Sequence, residues 1–332
     1  MKKIAVLTSG GDAPGMNPAI RSVARTAIFY NLDVVGVKHG YEGLINKDFF
    51  PINRGSVADI IQRGGTILFS ARCDEFKTKE GREKAYKNMR DEDIDALVVI
   101  GGDGSLRGVQ KINEESEIRA VGIPATIDND LACTDYTIGV DTAMNTILDA
   151  VNKIRDTATS HERTFVIECM GRDSGYLALM AGLAGGAEFI LVPEIDFTPK
   201  EVTERIVQGF DRGKLHSLIL IAEGVKAPFA DLKGYNGSPG LAMGDLIRET
   251  TGMETRVTIL GHLQRGGSPT ATDRIIASRM GAEAVEILIE GERNKMVNYK
   301  DNSIGSCSIE DSIAKVQQID MDIYNLASIL SM

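Results

Sequence analysis

Two aspartates separated by one residue, Asp128 and Asp130, stand in the run Pro124-Ala125-Thr126-Ile127-Asp128-Asn129-Asp130. Carboxylates spaced this way in a loop can divide labour. One accepts a hydroxyl proton while the other holds a metal ion or orients water. The bland alternative is a polar turn capping the next helix. Asp141 stands nearer that helix start and takes the capping role in this reading, which leaves the pair for chemistry. Upstream, Gly101-Gly102-Asp103-Gly104-Ser105 follows the apolar run Val98–Ile100. Glycines let backbone N–H groups approach a polyphosphate, and the helix start adds unpaired N–H donors. One carboxylate there suffices for Mg²⁺, which keeps several waters and needs few protein oxygens. Thr8-Ser9-Gly10-Gly11-Asp12-Ala13-Pro14-Gly15 has the same character near the N-terminus. It matches neither G-x-G-x-x-G nor G-x-x-x-x-G-K-[ST], and a tight strand-to-helix turn explains it equally well. Two further segments carry arginine. Met170-Gly171-Arg172-Asp173-Ser174-Gly175 places one before a helix start, and Thr255–Pro269 contains Arg256, His262 and Arg265. Guanidinium forks suit bidentate phosphate recognition. A lone arginine is ordinarily a solvated surface charge, but five phosphate-type segments, all at strand ends, are poorly explained that way.

Such loops need strands to end on and helices to begin from. Short β-branched runs at Ile4–Leu7, Val34–Val37, Leu97–Ile100, Val121–Ile123, Phe165–Ile167, Ile190–Val192, Leu218–Ile221 and Val257–Leu260 predict buried strands. Helical patterns fall between them, at Asn17–Tyr30, Lys79–Arg90, Ser105–Ile112, Thr142–Thr159, Gly175–Leu183, Pro199–Arg212, Met243–Thr251 and Asp273–Ile289. Thr198 and Glu201 around Pro199 form a capping box. This alternation predicts an α/β fold with mostly parallel sheets and helices on both faces, with ligands beyond the carboxyl ends of the strands. The Gly-, Pro- and Asp-rich stretch Ala227–Gly240 reads as a surface loop.

The chain of 332 residues has room for about two domains. No composition shift marks a boundary, so the chain is expected to cross between them more than once. No apolar run approaches the ~20 residues of a membrane-spanning helix, and the two lysines and short apolar run at the start read as a first strand. The formal charge of −10 argues against a general binder of nucleic acid or of anionic membrane. It does not exclude phosphate ligands, because a pocket's field is set by near charges and screened within about 8–10 Å. The cysteines Cys73, Cys133, Cys169 and Cys307 are widely spaced, as in a reduced cytosolic protein, and no histidine spacing suggests catalytic zinc.

Taken together, GGDAPGMN, GGDGS, TIDND, MGR and LGHLQRGGSP, in this order and along essentially the whole chain, closely resemble the ATP-dependent 6-phosphofructokinase family of bacteria. The resemblance implies two Rossmann-like three-layer α/β domains. One, for nucleotide and Mg²⁺, spans 1–139 plus about 265–313. The other, for the sugar phosphate, spans 140–264 plus about 314–332. It implies transfer of the γ-phosphoryl of ATP to the 1-hydroxyl of fructose 6-phosphate in the cytoplasm. Asp128 matches the base and Asp103 the Mg²⁺ carboxylate. Gly11, Arg72 and Arg172 match groups that stabilise the transferring phosphoryl, supported by Thr126 and Asp130. Gly11, Tyr41, Arg72, Cys73, Gly102, Asp103, Gly104, Ser105 and Gly108 fall at ATP-contacting positions. Thr126, Ile127, Asp128, Arg163, Met170, Gly171, Arg172, Glu223, Arg256, His262 and Arg265 fall on the sugar side. In the family Arg163 and Arg256 come from a neighbouring subunit of a homotetramer. Arg21, Arg25, Arg54, Asp59, Arg155, Gly186, Glu188, Arg212, Lys214 and His216 match an allosteric site, where ADP or GDP activates and phosphoenolpyruvate inhibits.

Four positions depart from the family pattern. Position 125 is alanine, where ATP-dependent members usually have glycine; pyrophosphate-dependent relatives carry lysine there and aspartate at position 104, which here is Gly104. Small residues at both positions favour ATP. Lys77 stands where some members have arginine, Leu215 where a basic residue is common, and the stretch from Glu223 to Arg256 is longer than usual. The alternatives are a pyrophosphate-dependent phosphofructokinase and, from another class, a non-catalytic nucleotide sensor, for which both Asp103 and Asp128 would be superfluous. NAD and lipid kinases share only the GGDG-type loop.

Overall fold

A computed structural model of the chain describes residues 1–229 and 237–331. The chain forms two compact units. The first comprises Met1–Ile127, Leu131–Thr142 and Arg265–Val316; the second comprises Asp128–Asp130, Ala143–Gln264 and the chain from Gln317 on. The tripeptide Asp128–Asp130 is thus a short excursion of the second unit out of a stretch belonging to the first.

In chain order the first unit contains β1 (Lys3–Ser9), α1 (Met16–Phe29), β2 (Asp33–Val37), α2 (Gly40–Asn46), β3 (Phe49–Ile52), α3 (Lys79–Asp91), β4 (Ala96–Gly101), α4 (Asp103–Glu115) and β5 (Arg119–Pro124). The helix α5 (Val140–His161) starts in it and continues into the second unit. There follow β6 (Thr164–Cys169), α6 (Tyr176–Ala184), β7 (Phe189–Leu191), α7 (Pro199–Asp211), β8 (Ser217–Ala222), α8 (Pro239–Thr251) and β9 (Thr255–Ile259). The first unit resumes with α9 (Ala271–Ile289), β10 (Lys295–Lys300), β11 (Ser303–Ser308) and α10 (Ile309–Ala314), and α11 (Met321–Leu330) ends the second.

The first unit is built on a seven-stranded sheet in the order β11-β10-β5-β4-β1-β2-β3. Its inner pairs are parallel, and only the edge strands β3 and β11 run antiparallel. Strands β4 and β8 are buried along their full length, which is why they read as unbroken apolar runs rather than alternating ones. The second unit holds a four-stranded parallel sheet, β7-β8-β6-β9. Both sheets with their interleaved helices match the expected α/β class. Helix α7 begins with the predicted capping box: Thr198 and Glu201 each bond the other's backbone N–H.

Several expectations need correction. β3, β10, β11, α2 and α10 lie outside the expected elements. β3 and β11 are edge strands, one carrying a proline and the other glycine and serine, so neither shows a buried apolar run. Asp141 is not a cap: α5 starts at Val140, and the Asp141 carboxylate in its first turn accepts Thr270 Oγ1 at 2.5 Å. The expected loop Ala227–Gly240 opens as a short 3₁₀ turn over Ala227–Phe229 and ends inside α8, which begins at Pro239 with Ser238 as N-cap. Residues 230–236 of that loop lie outside the described residues.

Candidate active site

In the first unit the glycine loops follow β1 and β4, which are parallel neighbours, so both loops open from the same carboxyl end of the strands. At the second loop Gly102 is the N-cap of α4 and Asp103 lies in its first turn. Asp103 is half-buried, and a β-carbon on Gly104 would meet nothing within 4 Å. Among the described residues no three His, Cys, Asp or Glu side chains form a metal-binding cluster. Asp103 is the carboxylate this loop could offer a hard cation.

Behind this loop the Tyr41 hydroxyl donates to the Ser105 carbonyl at 2.5 Å, and its ring stacks on Phe76 at 4.2 Å. Burial raises the Tyr41 phenol far above its usual range, so it stays a donor. Gly108 is required by this contact, since a β-carbon there would lie 2.3 Å from the Tyr41 oxygen. Tyr41 thus shapes the floor of the loop, with its hydroxyl already committed. Cys73 is half-buried against the same core, and burial raises its thiol. At the first loop, Arg265 Nη1 donates to the Asp12 carbonyl at 3.1 Å, and a β-carbon on Gly11 would come within 2.6 Å of that nitrogen. Arg265, expected on the sugar side, is thereby held against the Gly11–Asp12 turn. Arg72 is exposed. Thr126 and Ile127 are buried at the end of β5, and the Thr126 carbonyl accepts Thr137 Oγ1 at 2.6 Å.

In the second unit Asp128 is 3% exposed. Arg172 reaches across both aspartates, with Nε 3.7 Å from Asp128 Oδ2 and Nη1 3.7 Å from Asp130 Oδ2. The backbone is forced on each side of this contact. Asn129 has φ 48° and Arg172 φ 52°, in the left-handed region that side chains enter at a cost of about 1–3 kcal/mol unless their surroundings fix them. At Arg172 the fixing group is Glu223, whose Oε1 accepts the N–H of Gly171 at 3.2 Å and of Arg172 at 2.9 Å. Gln264, wholly buried, accepts the Met170 N–H at 3.3 Å. Glu223, expected as a sugar contact, is placed as a backbone clamp.

Arg163 and Arg256 meet through a residue that the sequence did not single out. The Glu254 carboxylate takes Arg163 Nε at 2.8 Å on one oxygen and Arg256 Nη2 on the other. Arg163, whose hydrogen bond is the main cause, holds that carboxyl below its usual range. Glu254 and Arg256 are two apart at a strand start, a period-two signal. Arg163 joins them only because β6 pairs with β9 in the register Thr164–Thr255. Exposed His262 lies on the turn after β9.

The effector-type residues divide by unit. Arg21 and Arg25 lie on α1, with exposed Arg54 and Asp59 on the segment after β3. In the second unit Arg155 Nη2 donates to the Gly186 carbonyl at 3.0 Å. Glu188 Oε2 accepts the Leu218 N–H at 2.6 Å. Glu188, Arg212 and Lys214 line a cavity of about 220 Å³, and His216 is half-buried nearby in sequence.

Residues 3–288 match the family model described as phosphofructokinase. The chain is 65% identical, over the full length of both proteins, to an ATP-dependent 6-phosphofructokinase of Halothermothrix orenii, and 53% identical over the full length to one of Brevibacillus brevis. Its fold superposes on phosphofructokinase from Saccharomyces cerevisiae with a TM-score of 0.84 at 36% identity, covering all of this chain and 48% of the yeast one. Strand-end glycine loops, a buried carboxylate under an arginine, and full-length identity of this order lead to one assignment: the chain belongs to the phosphofructokinase family.

Proposed function

We propose that this chain is an ATP-dependent 6-phosphofructokinase, transferring the γ-phosphoryl of MgATP to the 1-hydroxyl of fructose 6-phosphate and releasing ADP and fructose 1,6-bisphosphate. The observation that carries this is Asp128, a buried carboxylate on a forced turn with the Arg172 guanidinium beside it. Phosphoryl transfer asks a protein mainly for positioning and charge stabilisation, and these two groups supply the remainder. Asp128 takes the proton of the attacking hydroxyl. Arg172 steadies charge developing on the transferring oxygens and screens Asp128 from Asp130. Gly11, with Arg72 and the N–H groups at Gly102–Ser105, cradles the phosphates. Asp103 would hold Mg²⁺, which would supply charge neutralisation to the nucleotide's phosphates. Arg163, Arg256 and Arg265 serve the sugar phosphate.

Small residues at positions 104 and 125 support the nucleotide as donor. Gly104 has open space around it, and Ala125 is buried in a bridge with Ile138, where a lysine would not fit without displacement. The proposal extends to a cytoplasmic homotetramer with ADP or GDP as activator and phosphoenolpyruvate as inhibitor, a reading supported by the basic cavity at Glu188, Arg212 and Lys214. Assay of fructose 6-phosphate phosphorylation with ATP and, separately, with pyrophosphate tests the donor. Product with ATP alone is expected. Product with pyrophosphate alone overturns the donor assignment, and product with neither favours a sensor.

A further inference from the structure

All four cysteines carry free thiols, and two of them are neighbours. Cys133 follows the Asp128–Asp130 excursion, and Cys307 lies on β11. Both pack, half-buried, against the core of the first unit. The strand register places them there independently. Asn298 on β10 pairs with Gly305 on β11, so its side chain shares a sheet face with Gly305 and with Cys307 two residues on. Asn298 Nδ2 donates to the Cys133 carbonyl at 2.7 Å, which lays Cys133 over that face.

The segment around Cys133 is tied down on both sides. The Ala132 N–H donates to the Ser312 carbonyl at 3.1 Å, and the Asp135 N–H to the Tyr299 carbonyl at 2.8 Å. Cys133 itself is held at φ 67°, a conformation that persists only where the surroundings impose it. Ala125 and Ile138 bridge at the base of the loop, so Cys133 and Asp128 ride on one short closed loop.

We propose that Cys133 and Cys307 form a reversible oxidation site, a dithiol that hydrogen peroxide converts to an intramolecular disulfide, stapling the Asp128-bearing loop to β11. The Cys133 sulfur first takes a hydroxyl from peroxide, giving a sulfenic acid and one water. The Cys307 sulfur then displaces hydroxide from it, and the hydroxide leaves with the Cys307 proton as a second water. Two S–H bonds and the O–O bond break, one S–S bond forms, and the two electrons lost by the sulfurs reduce the peroxide. Burial, Cys133 and Asp311 push the Cys307 thiol up to about 12 against the pull of Lys295. Cys307 is therefore a thiol at neutral pH, which makes it the slower, resolving partner. The staple restrains the loop and lowers turnover, and a dithiol reductant restores it.

The test uses the whole reduced enzyme, exposed to peroxide, quenched, alkylated under denaturing conditions and digested. A Cys133–Cys307 cross-linked peptide and the loss of two of the four thiols are expected, with no covalent dimer. Turnover falls several-fold, recovers with dithiothreitol, and resists peroxide in Cys133→Ser and Cys307→Ser, which keep basal activity. Absence of the cross-linked peptide under conditions that oxidise Cys73, or a disulfide between chains, overturns the site. A cross-link that leaves turnover unchanged overturns its control of the loop. Equal peroxide sensitivity in both variants assigns the loss to Cys73 and does the same. The cross-link readout stands whatever the donor and acceptor prove to be.

Discussion

The loop between β4 and α4 and the turn between β6 and α6 share one plan: a buried parallel strand ends, glycine follows, and a helix begins. They use it in opposite ways. At Gly101–Ser105, Gly101 packs against Ser9 and Ser105 while Gly104 has open space around it, and the start of α4 offers backbone N–H groups that an anion could use. At Met170–Gly175 the backbone is clamped by Glu223 and Gln264, and the residue presented is a cation, Arg172, laid across two carboxylates. An open loop can hold many phosphates. A clamped turn fixes a single guanidinium in one place.

If chemistry sits at the clamped turn and binding at the open loop, mutations should separate kcat from KM. Asp128→Asn keeps the shape and removes the base, and kcat should fall by about 10²–10⁴ with the KM for ATP little changed. Arg172→Gln removes the charge across both aspartates, and kcat/KM for the sugar phosphate should fall by about 10²–10³, measured in a coupled assay. Gly11→Ala places a β-carbon against the Arg265 guanidinium, and kcat/KM should drop by roughly tenfold, about 1.4 kcal/mol of transition-state stabilisation. If Gly11→Ala cost more than Asp128→Asn, the comparison would be inverted.

The smallest effect concerns pH. Asp273, wholly buried, accepts the N–H groups of Gly139 and Thr142, both at 2.8 Å, and anchors the return of the Asp128 loop. Burial, partly offset by those hydrogen bonds, pushes its carboxyl up to about 6. A carboxyl raised above its unfolded value binds more protons folded than unfolded. Its contribution to stability therefore declines as pH rises from about 4 to 6 and is constant above. Thermal unfolding of wild type and Asp273→Asn across that window should show the difference between them changing most between those limits.

The sequence made the parallel sheets and the loop chemistry legible because buried strands and glycine loops are local patterns. The edge strands β3 and β11 were not, since β3 is short and carries Pro51, β11 is mostly glycine and serine, and neither is buried along its length. The Asp128–Arg172 contact was legible only through resemblance: 44 positions separate the two residues, and no periodicity spans that distance. Glu254 was overlooked because its role depends on a cross-strand register. Glu223 and Arg265 were singled out for ligand contact, yet the structure engages both with backbone, which residue type alone does not reveal.

The separation of binding from chemistry is tested most directly by calorimetric titration of MgATP into Asp128→Asn beside wild type, with turnover measured on the same samples. The prediction is a nucleotide Kd within about twofold of wild type while turnover falls by at least about a hundredfold. Loss of nucleotide affinity in step with turnover would contradict it.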